Sequence, residues 1–205
     1  MTITSAAGIS QAVTVTPVAN GEYSITYTLT QGGLYTMAIK VQPNGVGSFY
    51  PLATSPFSIS CIVSSTSPAN TVLSGAGLTS AVAGDLAQFL VTLFDSGNNQ
   101  RTSGGDNVAV SITSASANVS LIQVIDNNNG TYTVNYLATD ATAYTITVVV
   151  NGAVASAKTS ALTVVANIPT PYVSVLSAIS PITIEASNTY TVNALDAWNN
   201  IVQTP

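Results

Sequence analysis

Charge is what this sequence has least of. Lys, Arg, Asp and Glu together make up 5% of its 205 residues, where a soluble protein ordinarily carries roughly 25%. Three basic residues, Lys40, Arg101 and Lys158, stand against eight acidic ones, for a net charge of −5. Such a chain has no cationic surface to neutralise phosphates or anionic lipid headgroups, which excludes nucleic acid as a partner. Histidine is absent and cysteine occurs once, as Cys61. Zinc sites built from several His or Cys ligands are thereby excluded, as is every nucleophile that depends on a His base. No catalytic, cofactor-binding or metal-binding residue is expected, and no enzyme. Cys61 lies in the apolar run FSISCIV (57–63) and reads as a buried, inert thiol in preference to a reactive one. The opening MTITSAAGIS has neither a basic start nor an apolar stretch, so it is not a signal peptide; an export signal would have been removed or would lie upstream. No uncharged apolar run approaches the roughly 18 residues of a membrane helix, and membrane insertion is not expected.

What is present is an ordinary apolar fraction of 46% set among Ser, Thr and Asn, side chains that favour strands, turns and glycan attachment over long helices. That bias points outside the cell. The chain also repeats itself. NGEYSITY (20–27) recurs as NGTYTVNY (129–136), a displacement of 109, and LYTMAIKV (34–41) recurs as AYTITVVV (143–150) at the same displacement. A loop, PNGVGSFYPLATSP (43–56), lengthens the first copy, so FSIS (57–60) meets LTVV (162–165) at 105. GLTSAVAGDLAQFLVTLFDSGNNQ (77–100) matches AISPITIEASNTYTVNALDAWNNI (178–201) at 101. The expected organisation is therefore the C-terminal part of one module at 1–65, a complete module at 66–167, and the N-terminal part of a further module at 168–205.

Within the complete module the apolar residues alternate: Phe89, Val91, Leu93; Val108, Val110, Ile112; Tyr132, Val134, Tyr136; Tyr144, Ile146, Val148, Val150. A period of two means strands with one buried face. Gly-, Asn- and Asp-rich punctuators separate them, namely AGD (83–85), DSGNNQ (95–100), SGGDN (103–107) and DNNNG (126–130). About seven short strands in about 100 residues, without helical period, describe an all-β Greek-key sandwich.

The residues SGAGL (74–78), FDSGNN (94–99), GGD (104–106) and DNNNGTYTVNY (126–136), in that order, resemble the filamin-type immunoglobulin-like repeat. GLY (33–35), SPF (55–57) and LDAWNN (195–200) extend the resemblance to the flanking pieces; TAY (142–144) and SAL (160–162) depart from the family's Gly-x-Tyr and Ser-Pro-Phe. Bacterial immunoglobulin-like adhesin modules share the Asp-x-x-Gly-Asn turn and the same fold, and are the nearest competitor. The resemblance implies a rod of modules that spaces, crosslinks or adheres without catalysis. It also implies partner-strand addition beside strands C and D, mapping to 107–114 and 118–125, with Asn107, Val108, Val110, Ile112, Val119 and Leu121 as candidates.

Asn118 (NVS) and Asn129 (NGT) are N-glycosylation sequons placed in expected turns. Asn129-Gly130 also reads conformationally, as a tight hairpin in which both residues take positive φ. Asn20 and Gly21 keep that turn in the first copy, where Glu22 removes the sequon. DNNNG lacks the spaced carboxylates of a calcium loop, and Asp95, Asp106 and Asp196 read as turn-bracing carboxylates. Lys40 alternates outward from Ile39 and Val41, which argues against an isopeptide crosslink. Trp198 is a candidate contact between modules, with sugar binding as the other reading.

The portion missing from the first piece is nearly what 168–205 supplies. Either the sequence is a window on a longer repeat chain, or identical chains complete each other's sandwich head to tail. Neighbouring modules, identical chains and glycans are the expected partners. An extracellular or cell-surface filament element is the leading reading, followed by a cytoskeletal filamin-like rod and a carbohydrate-binding adhesin module using Trp198 or Tyr172.

Overall fold

The computed structural model describes residues 2–8, 10–42, 47–115, 119–171, 175–176 and 192–203. The chain forms two units, Met1–Ser65 with Asp95–Asn99, and Thr66–Phe94 with Gln100–Pro205.

In unit 1 the strands are β1 (Thr2–Ser5), β2 (Ser10–Gln11), β3 (Val13–Pro17), β4 (Tyr23–Tyr27), β5 (Gly33–Ala38), β6 (Lys40–Val41), β7 (Tyr50–Pro51) and β8 (Phe57–Cys61). They form an antiparallel sheet in the order β2-β1-β5-β8 and two separate hairpins, β3–β4 and β6–β7. The β3–β4 hairpin turns on Asn20 (φ 53) and Gly21 (φ 82), the pair of positive φ angles that Asn-Gly is suited to. Tyr35, on the central strand β5, is 3% exposed, and its hydroxyl donates to the Gln31 carbonyl at 2.9 Å. Cys61 is partly exposed, contrary to the expectation of burial. Its cross-strand neighbour is Gly33, which has no side chain to cover it.

Unit 2 holds a two-layer sandwich. Its strands are β9 (Val72–Ser74), β10 (Ser80–Val82), β11 (Leu86–Thr92), β12 (Val108–Thr113), β13 (Val119–Asp126), β14 (Thr131–Ala138), β15 (Ala143–Val150) and β16 (Ala153–Val165). One layer has the order β13-β14-β11-β9 and the other β10-β16-β15-β12. The alternating residues read from the sequence make the core: Phe89, Val91, Leu93, Tyr132, Val134 and Tyr136 from one layer meet Ile112, Tyr144, Ile146, Val148, Val150, Leu162 and Val164 from the other. Each of the Val, Leu, Ile and Phe side chains contributes on the order of 1.5–3 kcal/mol of burial. The Phe89 and Tyr136 rings sit at 6.3 Å with a 55° tilt, a favourable aromatic arrangement.

The first strand divides between the layers. β9 pairs with β11, the chain then turns through Ala76–Leu78, and β10 pairs parallel with β16. This turn requires Gly77, because a Cβ there would lie 2.5 Å from the Gln88 carbonyl. The buried Tyr136 hydroxyl donates to the Gly77 carbonyl from the opposite element, tying the turn to the core. The Tyr144 hydroxyl donates to the Asp140 carbonyl at 3.2 Å. Tyr35 and Tyr144, equivalent in the repeat, thus both bond the backbone four residues upstream, the tyrosine corner of immunoglobulin-like sandwiches. Two further strands, β17 (Val175–Leu176) and β18 (Val192–Asn193), pair antiparallel in the same unit.

Candidate functional site

The polar residues of unit 2 gather at loop ends. At one end Asp106 accepts from the Thr66 hydroxyl at 2.8 Å and the Asn151 amide at 2.7 Å, and faces Arg101 Nε at 3.7 Å. Asp126 accepts the N–H groups of Asn128 and Gly105, both at 2.8 Å. Those backbone donors hold its carboxyl below the usual range against the opposing effect of burial. Among the described residues, no three His, Cys, Asp or Glu side chains gather closely enough to hold a metal ion. Also among them, no helix is long and apolar enough to cross a membrane.

The remaining acidic turns form a set. In unit 1, Asp95 Oδ1 accepts the N–H groups of Gly97 and Asn99, each at 2.9 Å, while Oδ2 accepts the Ser64 N–H at 3.1 Å. The Asn99 amide bonds back to the carboxylate at 3.0 and 3.1 Å. It also donates to the Thr30 carbonyl at 2.9 Å and accepts the Gly32 N–H at 3.0 Å.

In unit 2, residues 196–200 repeat this arrangement. Asp196 Oδ1 accepts the Trp198 and Asn200 N–H groups at 2.9 Å, and Oδ2 accepts the Asn167 N–H at 2.9 Å and the Asn200 amide at 2.8 Å. The Asn200 amide donates to the Thr139 carbonyl at 2.8 Å and accepts the Ala141 N–H at 2.7 Å. The fourth residue of each turn is left-handed, Asn98 at φ 59 and Asn199 at φ 65, a conformation Asn tolerates.

Both carboxylates are enclosed, Asp95 at 3% and Asp196 at 0% exposure. At Asp95 the Asn99 N–H exerts the largest influence. Burial opposes it, and the Asn99 amide with the Ser64 and Gly97 N–H groups completes a lowering to about 2. At Asp196 burial is the largest influence and pushes upward, but the bonds from Asn200, Asn167 and Trp198 outweigh it, so its carboxyl is also lowered. Both carboxylates brace their turns, as the sequence pattern suggests, whereas the roles of Asn99 and Asn200 are not evident from it. The repeated GNN and WNN triplets (97–99 and 198–200) were the available signal.

Trp198 is 38% exposed, and its ring lies where a Cβ on Gly84 would be. Asn129 is exposed, and its amide oxygen accepts the Thr131 N–H at 3.0 Å and the Thr131 hydroxyl at 2.7 Å. Its turn differs from the expected Asn-Gly pair. The positive φ angles fall on Asn128 (59) and Gly130 (78), because Asn129 closes a local turn onto Thr131 and Asp126 holds the Asn128 N–H. Asn118 lies outside the described residues, as does Tyr172.

β12 and β13 are both edge strands of unit 2. Val108, Val110 and Val119 are half-buried against the core and Ile112 is buried in it. The exposed side chains of β12 are Ala109, Ser111 and Thr113. Leu121 is on β13, opposite Leu137. The Asn107 backbone is already paired, its N–H with Asn151 Oδ1 at 2.9 Å and its carbonyl with the Asn151 N–H at 2.8 Å.

Residues 65–159 match the family model of the Filamin/ABP280 repeat. Three solved structures share the fold over most of the chain. Invasin, a bacterial integrin-binding protein, superposes with a TM-score of 0.52 at 21% identity, covering 98% of this chain and 40% of its own. The Escherichia coli adhesin FdeC gives 0.53 at 20% identity, covering 88% and 55%. InvD of Yersinia pseudotuberculosis gives 0.53 at 19% identity, covering 98% and 60%. This chain thus spans 40 to 60% of the length of these three proteins. At such identities the likeness is one of fold.

Proposed function

We propose, from the premise that residues 65–159 are a filamin-type repeat, that this chain is a segment of an extracellular or cell-surface filament whose sandwich modules act as spacers and assembly units. The observation that carries this reading is repetition at the level of bonds. The same braced acidic turn and the same tyrosine corner each occur twice, as expected of an array of equivalent modules. A charge content of 5%, with Ser, Thr and Asn supplying the polar surface, supports placement outside the cell.

Neighbouring modules, or identical chains head to tail, are the proposed partners along the axis. Unit 1 supports this with a groove of about 670 Å³ lined mostly by apolar residues, Val15, Tyr23, Ile25, Ile39, Val41 and Leu52, together with Gly21, Lys40 and Gln42, a surface that a neighbouring segment would cover. The edge backbones of β12 and β13 are the proposed sites for an added strand. A partner there would meet Ala109, Ser111 and Thr113, with Val108, Val110 and Ile112 supporting the strand from within. Asn129 is the proposed glycan site within the described residues, and Asn118 is the second sequon.

Intact source cells labelled with an antibody against the chain test the placement. Label on unpermeabilised cells is expected, together with peptides around Asn129 that lose mass on enzymatic deglycosylation. Label confined to permeabilised cells would overturn the surface reading.

A further inference from the structure

The paired acidic turns do something the tandem reading does not require. In each, the carboxylate holds its own five-residue turn in shape, but its second oxygen and the Asn amide bond to distant backbone. Asn200 meets Thr139 and Ala141, 61 and 59 positions away, and Asp196 meets Asn167, 29 away. Asn99 meets Thr30 and Gly32, 69 and 67 away, and Asp95 meets Ser64, 31 away.

The receiving groups are equivalent in the repeat. Thr30 and Gly32 correspond to Thr139 and Ala141 at a displacement of 109, in the loop that precedes the tyrosine-corner strand. The carbonyl of one residue and the N–H of the residue two places on face the same way. A side-chain amide, carrying one acceptor and one donor, closes on both as a single residue of a parallel strand would. Those groups lie outside the strands, exposed at Thr30 and Gly32 and half-buried at Thr139 and Ala141, and the Asn amide gives them the partner that a neighbouring strand would otherwise supply.

We infer that the end of each module formed by this loop and the following linker is a docking surface, and that its occupant is the Asp-x-x-x-Asn turn of the next module. Asp and Asn have separate tasks. Asp shapes the turn and takes up the linker N–H, and Asn reads the loop. Asp in place of Asn loses the donor and sets a second carboxylate against the first, and Ala loses both bonds. The third position is free to differ, as Gly97 and Trp198 show. In the second joint it adds a contact, the Trp198 ring on Gly84, and Asn167 adds another by donating to the Ala83 carbonyl at 2.9 Å. The joint rests on the tandem-module reading and not on cell-surface placement, so failure of the labelling experiment leaves it standing.

Residue-resolved amide hydrogen exchange on the full chain tests the joint, with Asn99→Ala, Asn200→Ala and Asn200→Asp as variants. Gly32 and Ala141 are expected to be protected in the parent protein. Asn99→Ala should speed exchange at Gly32 by about tenfold and leave Ala141 unchanged, and Asn200→Ala should do the reverse. Asn200→Asp should speed exchange at both Ala141 and Asn167. In all variants the core amide of Val134 should keep its rate. Unprotected Gly32 and Ala141 in the parent, or rates that the variants do not alter, would overturn the joint. Loss of Val134 protection with either alanine variant would also overturn it, by making the turn a fold element of its own module.

Discussion

Replacing Gly84 with alanine puts two costs on one atom, and the structure says how to separate them. Gly84 has φ +79, where a Cβ costs about 1–2 kcal/mol, and that Cβ would overlap the Trp198 ring. The ring must therefore leave. Trp198 is 38% exposed, and a buried Trp covers on the order of 200 Å². Roughly 120 Å² of it is covered, worth at most about 3 kcal/mol. Only part of that cover is owed to the Gly84 turn, so about 1–2 kcal/mol of coupling between the two residues is expected.

Urea unfolding of the parent, Gly84→Ala, Trp198→Ala and the double variant, followed by circular dichroism, measures that coupling. Gly84→Ala should cost about 2–4 kcal/mol alone, but only the backbone strain of about 1–2 kcal/mol once Trp198 is gone. Trp198 is the single tryptophan of the sequence, so its emission in Gly84→Ala should also shift to the red and become more quenchable. An equal cost of Gly84→Ala in both backgrounds, or Trp198 emission that ignores the change, would show that the two residues are not coupled.

Acid acts on the first turn with a defined sign. Asp95 has a depressed carboxyl, about 2 against an ordinary 3.8, so its contribution is complete above pH 4 and fades as pH falls through about 2. Amide shifts of Gly97, Asn99 and Ser64 should hold steady to about pH 4 and move together below it; a midpoint near 4 would contradict the bonding. Thr71 is fully buried, and its hydroxyl has no hydrogen-bond partner among the described residues. Thr71→Val should therefore raise the urea midpoint, by about 1 kcal/mol in stability, and a loss would show that the hydroxyl is satisfied. Tyr136→Phe removes the donor that meets the Gly77 carbonyl and should cost about 1–3 kcal/mol with an unchanged urea slope.

Strand positions and the sandwich class were legible in the sequence because alternation is local. Phe89, Val91 and Leu93, or Tyr144 through Val150, declare a buried face by their own spacing, and the fold buries those faces. The repeat was legible for the same reason, since equivalent strands carry equivalent patterns. Turn chemistry is legible only in part. Asn20-Gly21 adopts the expected pair of positive φ angles, whereas at 128–130 the pattern shifts because Thr131 and Asp126 capture local groups. A dipeptide rule does not contain that competition.

Local alternation thus settles where strands run, which face of each is apolar, and that the unit recurs. Which backbone groups are left over once the strands have paired depends instead on how distant segments come together. The split of the first strand onto β16, the Gly77 carbonyl met by Tyr136, and the loop groups of Thr139 and Ala141 met by Asn200 all follow from that remainder. The physical reason is one of range. Side-chain alternation is fixed within a few residues, but an unpaired N–H or carbonyl finds its partner only when segments some 60 residues apart, as Asn200 and Ala141 are, are brought to one end of a sandwich.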